Sequence, residues 1–528
     1  MNLFSKIHNI CIADFRERTR SYNFLILLGL VIFGSFFIIP SSTNSGENLY
    51  LLIGQDYRPV YNSAFIGTAA SFLSIIILSL FGFYVINNSI KRDRETRVGE
   101  IIASSPVSKN VYILGKLFSN FLVLFTILAI NSLVIIIIYL LRGQEPINLG
   151  KLLAPSIMFG IPALLFIASI AVLFETIGFL KGTIGNIVYF FLWCAIVSLE
   201  GTASENANIS TLDLFGIKAI NQNLANISNI KTGDLGLNWV YCNPTIKKTV
   251  LFEGINWQFD IFIQRIIIII AALLIALLAS AFFDRFTSTS KKKQKISKKK
   301  HHVENDVYTK NVSAPSMSIS KLTSVPYNFN GLNLINVELK LLFKNFNLWL
   351  ILLEVGLNIA CILAPIQIVQ GYLFPIVWLL PIAVWSSMGN REIRHNTDEI
   401  LFSSENFGYR QLPACLAAGT IVSFITGSGF FIRLLISGNL QSILPFAAGA
   451  VFIPSLAIAL GVLSNSSKLF EIMYLVIWYL GPMNHIKFLN FAEILNNSSY
   501  LKSLLLIMIS MIFLLISLLI RQLQIENQ

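Results

Sequence analysis

Residues 64–87 read AFIGTAASFLSIIILSLFGFYVIN, and Lys91–Lys116 follow as KRDRETRVGEIIASSPVSKNVYILGK. The first stretch holds no charged side chain. As a helix rising 1.5 Å per residue it reaches about 36 Å, enough for a hydrocarbon core about 30 Å thick. The second stretch turns abruptly polar, as a segment does on leaving lipid. Apolar runs of this kind recur near 22–40, 64–87, 117–141, 153–174, 186–199, 266–283, 347–364, 373–389, 412–432, 443–463, 469–481 and 500–520. The composition agrees: 55% of the 528 residues are hydrophobic, 41 are Phe, and only 12% are charged. A soluble domain carries about twice that charged fraction. The expected fold class is therefore an all-α polytopic membrane protein with about 12 transmembrane helices. The run at 186–199 is the weakest and is open between a full and a re-entrant helix.

The formal charge of +12 does not point to nucleic acid, because the basic residues flank apolar runs and seven lysines crowd into Lys291–Lys300. With the N-terminus inside, 28 of the 39 Lys and Arg fall on the cytoplasmic side. The positive-inside rule thus predicts N-in and C-in, in a bacterial inner membrane with an uncleaved first anchor. Segment 200–262 is then extracytoplasmic and is expected to form a cap of short helices. Residues 286–330 form a basic cytoplasmic linker between a first half, 1–285, and a second, 331–528. The linker's Lys/Ser/Thr-rich composition predicts disorder, and its His301 and His302 read as solvated, not as a metal site. The five scattered cysteines form no metal-binding pattern.

Local matches relate the halves. Arg94-Glu95-Thr96-Arg97, Glu100-Ile101 and Ser104-Ser105 are echoed by Arg391-Glu392-Ile393-Arg394, Glu399-Ile400 and Ser403-Ser404. Ile161-Pro162-Ala163-Leu164 matches Ile453-Pro454-Ser455-Leu456, and Tyr189 with Trp193 matches Tyr474 with Trp478. Six spans per half is an even number, so the repeats are parallel and related by an axis along the membrane normal. Pro162 and Pro454, lying mid-span, are expected to kink their helices, either as packing geometry or as hinges.

In the polar segment after the second run, Val98, Ile101 and Ile102 fall at helical spacing opposite Arg94, Glu95 and Arg97, which makes a short amphipathic helix. Ser105-Pro106 has the form of a cap and first turn restarting a helix. Such an element, repeated at 390–412, suits docking onto a symmetric pair of soluble subunits; it equally suits a helix lying on headgroups.

Residues 90–116 resemble the corresponding loop of type-2 ATP-binding-cassette exporter permeases. There an acidic, Gly-containing stretch precedes Ser-Pro-Val-Ser and a Gly-Lys, matched here by Gly99, Glu100, Ser105-Pro106-Val107-Ser108 and Gly115-Lys116. The resemblance implies a fused 6+6 permease that exports its substrate. It implies coupling helices, with Arg94, Glu95, Gly99, Glu100, Ile101 and Ile102 in the first half and Arg394, Glu399 and Ile400 in the second. The second copy has Glu405-Asn406 where Pro106-Val107 stand and lacks the Gly-Lys. Amphipathic elbows are implied at Ile10–Ser21 and Leu334–Asn345.

No G-x-x-x-x-G-K-[ST] occurs, so no phosphate-cradling loop is present and the chain is read as a transport subunit, not an enzyme. The implied partner is a soluble ATP-binding-cassette ATPase, in two copies, carrying the ATP and magnesium; the chain itself is expected to bind no cofactor or metal. Glu354, with Asn358 one turn later, lies within the seventh run. A carboxylate at that depth is either a substrate or proton contact or a neutralised structural group. Arg265, Arg433 and Glu175 read as span-end residues in contact with water.

Two other classes fit less well. A major-facilitator-type secondary transporter has twelve spans and a basic linker, but its Gly-x-x-x-Asp-Arg-x-Gly-Arg loop is short. Here Asp93-Arg94 matches its centre, Ser89 stands where the first Gly belongs, and the loop is far longer. A polytopic membrane enzyme requires clustered charge in its outer loops, and 200–262 is thinly charged.

Overall fold

The computed structural model describes residues 3–39, 46–53, 57–205, 212–228, 235–242, 248–284, 286, 331–344, 348–404, 406–438, 442–483, 490–491 and 500–526. Nearly all of this is helix. Eight described helices are long and apolar enough to cross a membrane, or ten if each of two bent pairs is one span. Two further runs, 347–364 and 469–481, correspond to shorter helical segments, Leu348–Leu363 and Lys468–Trp478 with the π turn Tyr479–Met483. The chain divides into two compact units, Met1–Gln294 and Lys295–Gln528. The basic linker, with His301 and His302, lies almost wholly outside the described residues.

The first unit opens with α1 (Leu3–Thr19) and α2 (Tyr22–Phe37), which are bent by 73° against each other. Ser21 makes the corner, its hydroxyl accepting from the Phe24 N–H at 3.4 Å as the cap of α2. Strands β1 (Gly46–Ile53) and β2 (Tyr57–Pro59) precede α3 (Ser63–Ile86). Asn62 caps α3 at Phe65 N (2.8 Å) and donates to the Phe252 carbonyl at 2.7 Å. Two short helices follow, α4 (Ser89–Glu95) and α5 (Val98–Ser104), then α6 (Lys109–Arg142). The next span joins α7 (Leu149–Pro155) to α8 (Ile161–Thr176) through a π turn at Ser156–Gly160. The interruption therefore precedes Pro162, which occupies the first turn of α8, where its missing N–H costs little. α9 (Thr183–Glu205) is continuous, so the weak run at 186–199 is a full helix.

Segment 200–262 departs from the expected cap of helices. It holds α10 (Ile217–Ser228), but also β3 (Leu235–Cys242) and β4 (Lys248–Val250). β3 pairs antiparallel with β1 over eight positions, Gly46 opposite Cys242 to Ile53 opposite Leu235, and β4 runs parallel to β2. Short strands far apart in sequence give only a faint period-2 signal, which is why the pattern did not betray them. α11 (Phe259–Phe282) completes the unit. Its Arg265 is not at the water surface. It is buried, with Nη2 at 3.3 Å from Asp213 and Nη1 donating to the Leu214 carbonyl at 3.2 Å.

The second unit comprises α12 (Gly331–Phe343), α13 (Leu348–Leu363), an interrupted span, two short helices and four more helical segments. The interrupted span has a π turn at Val369–Leu373, then α14 (Phe374–Leu379) and α15 (Ile382–Trp385). The short helices are α16 (Arg391–Arg394) and α17 (Asp398–Phe402). α18 (Phe407–Thr426) and α19 (Ser428–Ile436) meet at a 60° bend. α20 (Ile443–Ser464) runs through Pro454 without a break, and α21 (Lys468–Trp478) and α22 (Tyr500–Glu526) follow.

The repeated Tyr and Trp do the same work in each unit. Tyr189 donates to the Ser79 carbonyl in α3, and Trp193 Nε1 donates to the Ser79 hydroxyl at 2.8 Å. Tyr474 donates to the Trp378 carbonyl at 2.6 Å, and Trp478 Nε1 to the Pro375 carbonyl at 2.7 Å. In both units the fifth helical segment is thus fastened to the second through a buried hydroxyl and an indole.

Candidate functional site

Each unit carries, after its second span, a pair of short helices broken by a left-handed residue. In the first unit the break is Arg97 (φ 61°), between α4 and α5. In the second it is Asn396 (φ 52°), one of the two extra residues of that copy. Asn tolerates this region because its short amide bonds locally; Arg does so at a cost of about 1 kcal/mol or more. The anticipated single amphipathic helix is therefore two helices. The helix restart also lies later than expected. Ser105 closes α5, its N–H reaching the Ile101 carbonyl at 3.2 Å, and Pro106 holds the backbone extended. Ser108 begins α6, accepting from Val111 N at 3.4 Å.

The residues singled out from the sequence divide by exposure. Arg94, Glu95, Glu100 and Ile101 face outward, as do Arg394, Glu399 and Ile400. Ile101 is 69% exposed and Ile400 75%, unusual for isoleucines beside a packed core. Ile102 is half-buried. Gly99 is buried under the ring of Phe286, and a Cβ there would stand 2.7 Å from that ring. Phe286 also lies 5.9 Å from the Arg94 guanidinium. Beneath the two helices Ile90, Tyr112, Val172, Phe283 and Phe286 form one buried cluster, so helices α4, α6, α8 and the end of α11 all meet there.

Beneath the exposed face lies a buried ionic cluster that the sequence reading missed. Lys116 Nζ sits 2.9 Å from Asp14 of α1 and 2.8 Å from Asp93 of α4. Arg18 reaches Asp14 at 3.2 Å and the Ile86 carbonyl at 2.9 Å. Tyr112 donates to Asp93 at 2.5 Å and Ser119 to Asp14 at 2.6 Å. Burial pushes the Asp14 carboxyl up, but Arg18, Lys116 and Ser119 outweigh it and hold the group below the usual aspartate range. Gly115 lets α1 approach, since a Cβ there would meet the Ile10 side chain at 2.8 Å. The Gly-Lys pair thus has a local physical reason: one residue makes room for the elbow and the next ties the elbow to α4.

Glu175 corrects a second expectation. It is not solvated but 6% exposed, and it accepts at the N-terminus of α4. Oε1 takes Ser89 N (2.8 Å) and Ser89 Oγ (2.9 Å); Oε2 takes Ile90 N (2.5 Å) and Lys91 N (3.3 Å). These are the donors a helix start leaves unpaired.

The second unit has a counterpart. Glu338 of α12 pairs with Arg391 at 2.8 Å, and Gln411 of α18 donates to both Glu338 (3.4 Å) and Glu392. Arg521 of α22, fully buried, donates to the Gly389 carbonyl at 2.8 Å and reaches Glu392 at 3.4 Å. Each cluster sets two carboxylates against two cations, and each ties an elbow carboxylate to the paired short helices. The signal in the sequence was an elbow acid, Asp14 (beside Glu17) in the first unit and Glu338 in the second, too common a feature to single out unaided.

Residues 55–211 match the model of a family described as ABC-2 family transporter protein. The chain fits an ABC-2 type permease. The matched stretch contains α3 through α9, and with it the paired helices and Glu175. No curated protein matches the chain. The match over residues 55–211 and the apolar helices support a multi-pass membrane protein of the transport class, and that family implies a partner ATP-binding-cassette ATPase. No cluster of three or more His, Cys, Asp or Glu able to hold a metal occurs among the described residues.

Proposed function

We propose that this permease exports its substrate by coupling to two copies of a soluble ATPase, which bind ATP and magnesium and dock on α4–α5 and α16–α17. The observation that carries this reading is the pair of exposed isoleucines, Ile101 and Ile400, each following an exposed glutamate in a short helix anchored by one buried residue, Gly99 or Phe402. In this reading Arg94, Glu95, Gly99, Glu100 and Ile102 of the first element, and Arg394 and Glu399 of the second, shape the docking surface. Closure of the ATPases around ATP moves each pair of short helices, and the ionic cluster beneath passes the motion to the elbow of the same unit. Outward transport and a bacterial inner membrane, with both termini inside, follow from the resemblance and from the distribution of Lys and Arg.

Burying an isoleucine contributes about 1.5–3 kcal/mol, and each 1.4 kcal/mol is about tenfold in affinity. Ile101→Asp is therefore expected to weaken ATPase capture about tenfold or more, and Ile101→Asp with Ile400→Asp to abolish it. Glu100→Arg is expected to uncouple transport while leaving insertion intact. Copurification from mild detergent checks the first two, and substrate transport checks the third. A headgroup role alone predicts unchanged capture in each variant, and that result would remove the docking assignment.

A further inference from the structure

α13 buries a single face. Glu354, Asn358 and Cys361, spaced by four and three residues, turn inward, while Ile351, Leu352, Val355 and Ile359 are exposed. Glu354 is 7% exposed; the Asn358 amide lies close enough to act on its carboxylate, but no well-formed hydrogen bond meets either oxygen. No Lys, Arg or His pairs with it among the described residues. Its neighbours are already engaged. Asn358 Nδ2 donates to the Glu354 backbone carbonyl at 2.9 Å, and its Oδ1 accepts from Gly429 N at 2.7 Å and Ser428 Oγ at 3.4 Å. Tyr474 and Cys361 are the titratable groups near enough to feel Glu354, and the Tyr474 hydroxyl is committed to the Trp378 carbonyl at 2.6 Å. Asn358, one turn after Glu354, also holds the start of α19.

α13 packs against the π turn at Val369–Leu373 and against α19, and Asn358 of the buried face meets the 60° bend between α18 and α19. Non-helical backbone at membrane depth persists where it lines a cavity or pathway, and in transporters it marks binding sites. A carboxylate with no partner in such a place is costly unless a proton or a cation meets it.

We infer that Glu354 recognises the positive charge of the transported molecule, an organic cation on an apolar body. A hard metal ion takes about six or more oxygen ligands. One carboxylate with no second acid beside it does not supply them, whereas one diffuse charge needs a single counter-ion. The inference deepens the transporter reading, yet its test needs no ATPase.

The probe is tetraphenylphosphonium, with tetraphenylborate as the anion of matching size and shape, measured by equilibrium dialysis on the full chain in detergent. Wild type is expected to bind the cation saturably and to ignore the anion. Glu354→Gln is expected to weaken cation binding about tenfold or more. The same variant is expected to melt higher, because it removes an uncompensated charge; Glu354→Asp is expected to keep part of the binding. Wild-type cation binding in Glu354→Gln overturns the proposal, and so does lost binding joined to a lower melting temperature, which marks a structural glutamate. Cation binding that survives a failed search for the ATPase leaves this site standing and removes the coupled mechanism.

Discussion

Replacing Lys116 with methionine is expected to destabilise the first unit by about 3–5 kcal/mol, the range for removing one partner of a buried ion pair. The side chain is 3% exposed and lies within 3 Å of two carboxylates, so its loss leaves Asp14 and Asp93 facing each other across α1 and α4. Methionine fills nearly the same volume, which isolates the charge from the packing. A thermal melt in detergent reads the effect, and Lys116→Met with Asp93→Asn is expected to recover part of it. A melting temperature within a degree of wild type would show that the cluster holds nothing in place. The pH dependence has a definite sign. The folded Asp14 carboxyl lies below its unfolded value, so its contribution is complete above about 3.9, the ordinary aspartate value, and is lost as pH falls through the folded one.

The second large effect is expected at Glu175. Glu175→Leu strands three backbone N–H groups and a hydroxyl that now have one carboxylate between them. Each buried donor without a partner costs about 1–3 kcal/mol, and water entering the gap recovers some of that. The expected loss is about 3–5 kcal/mol, with Glu175→Gln about half as damaging because one carbonyl oxygen remains. Hydrogen exchange across residues 89–95 gives the specific readout. Those amides are expected to exchange far faster in the variant, with α9 unchanged. Equal protection in both proteins would mean that the cap is dispensable and that packing alone holds α4.

Much of this architecture was legible because lipid imposes a long apolar run on every spanning helix, and such runs survive without knowledge of their neighbours. The repeat was legible for a related reason: Tyr189 and Trp193, like Tyr474 and Trp478, must both reach acceptors on the second segment, which fixes their spacing. The place of the short helices was found through Arg94–Ile101 and its echo, but as one helix in each half, because nothing in the sequence marks Arg97 as left-handed. What stayed hidden depends on contacts between distant segments. Lys116 was read as half of a motif because nothing near it in sequence announces Asp14, about a hundred residues away. Glu175 was read as solvated because position in the chain tells only where a span ends, not whether another helix begins against it. Ser105-Pro106 misled for a local reason, since the same pair can close one helix or open the next, and Ser108 was the better cap.

The eight-rung ladder between β1 and β3 has a mechanical consequence. It stitches the stretch that follows α2 to the stretch that leads into α11, with partners set residue by residue. Sliding one strand along the other by a single place reverses which face every side chain occupies, so the seam resists shear far better than a loose loop does. The far ends of these two helices therefore behave as one clasped pair.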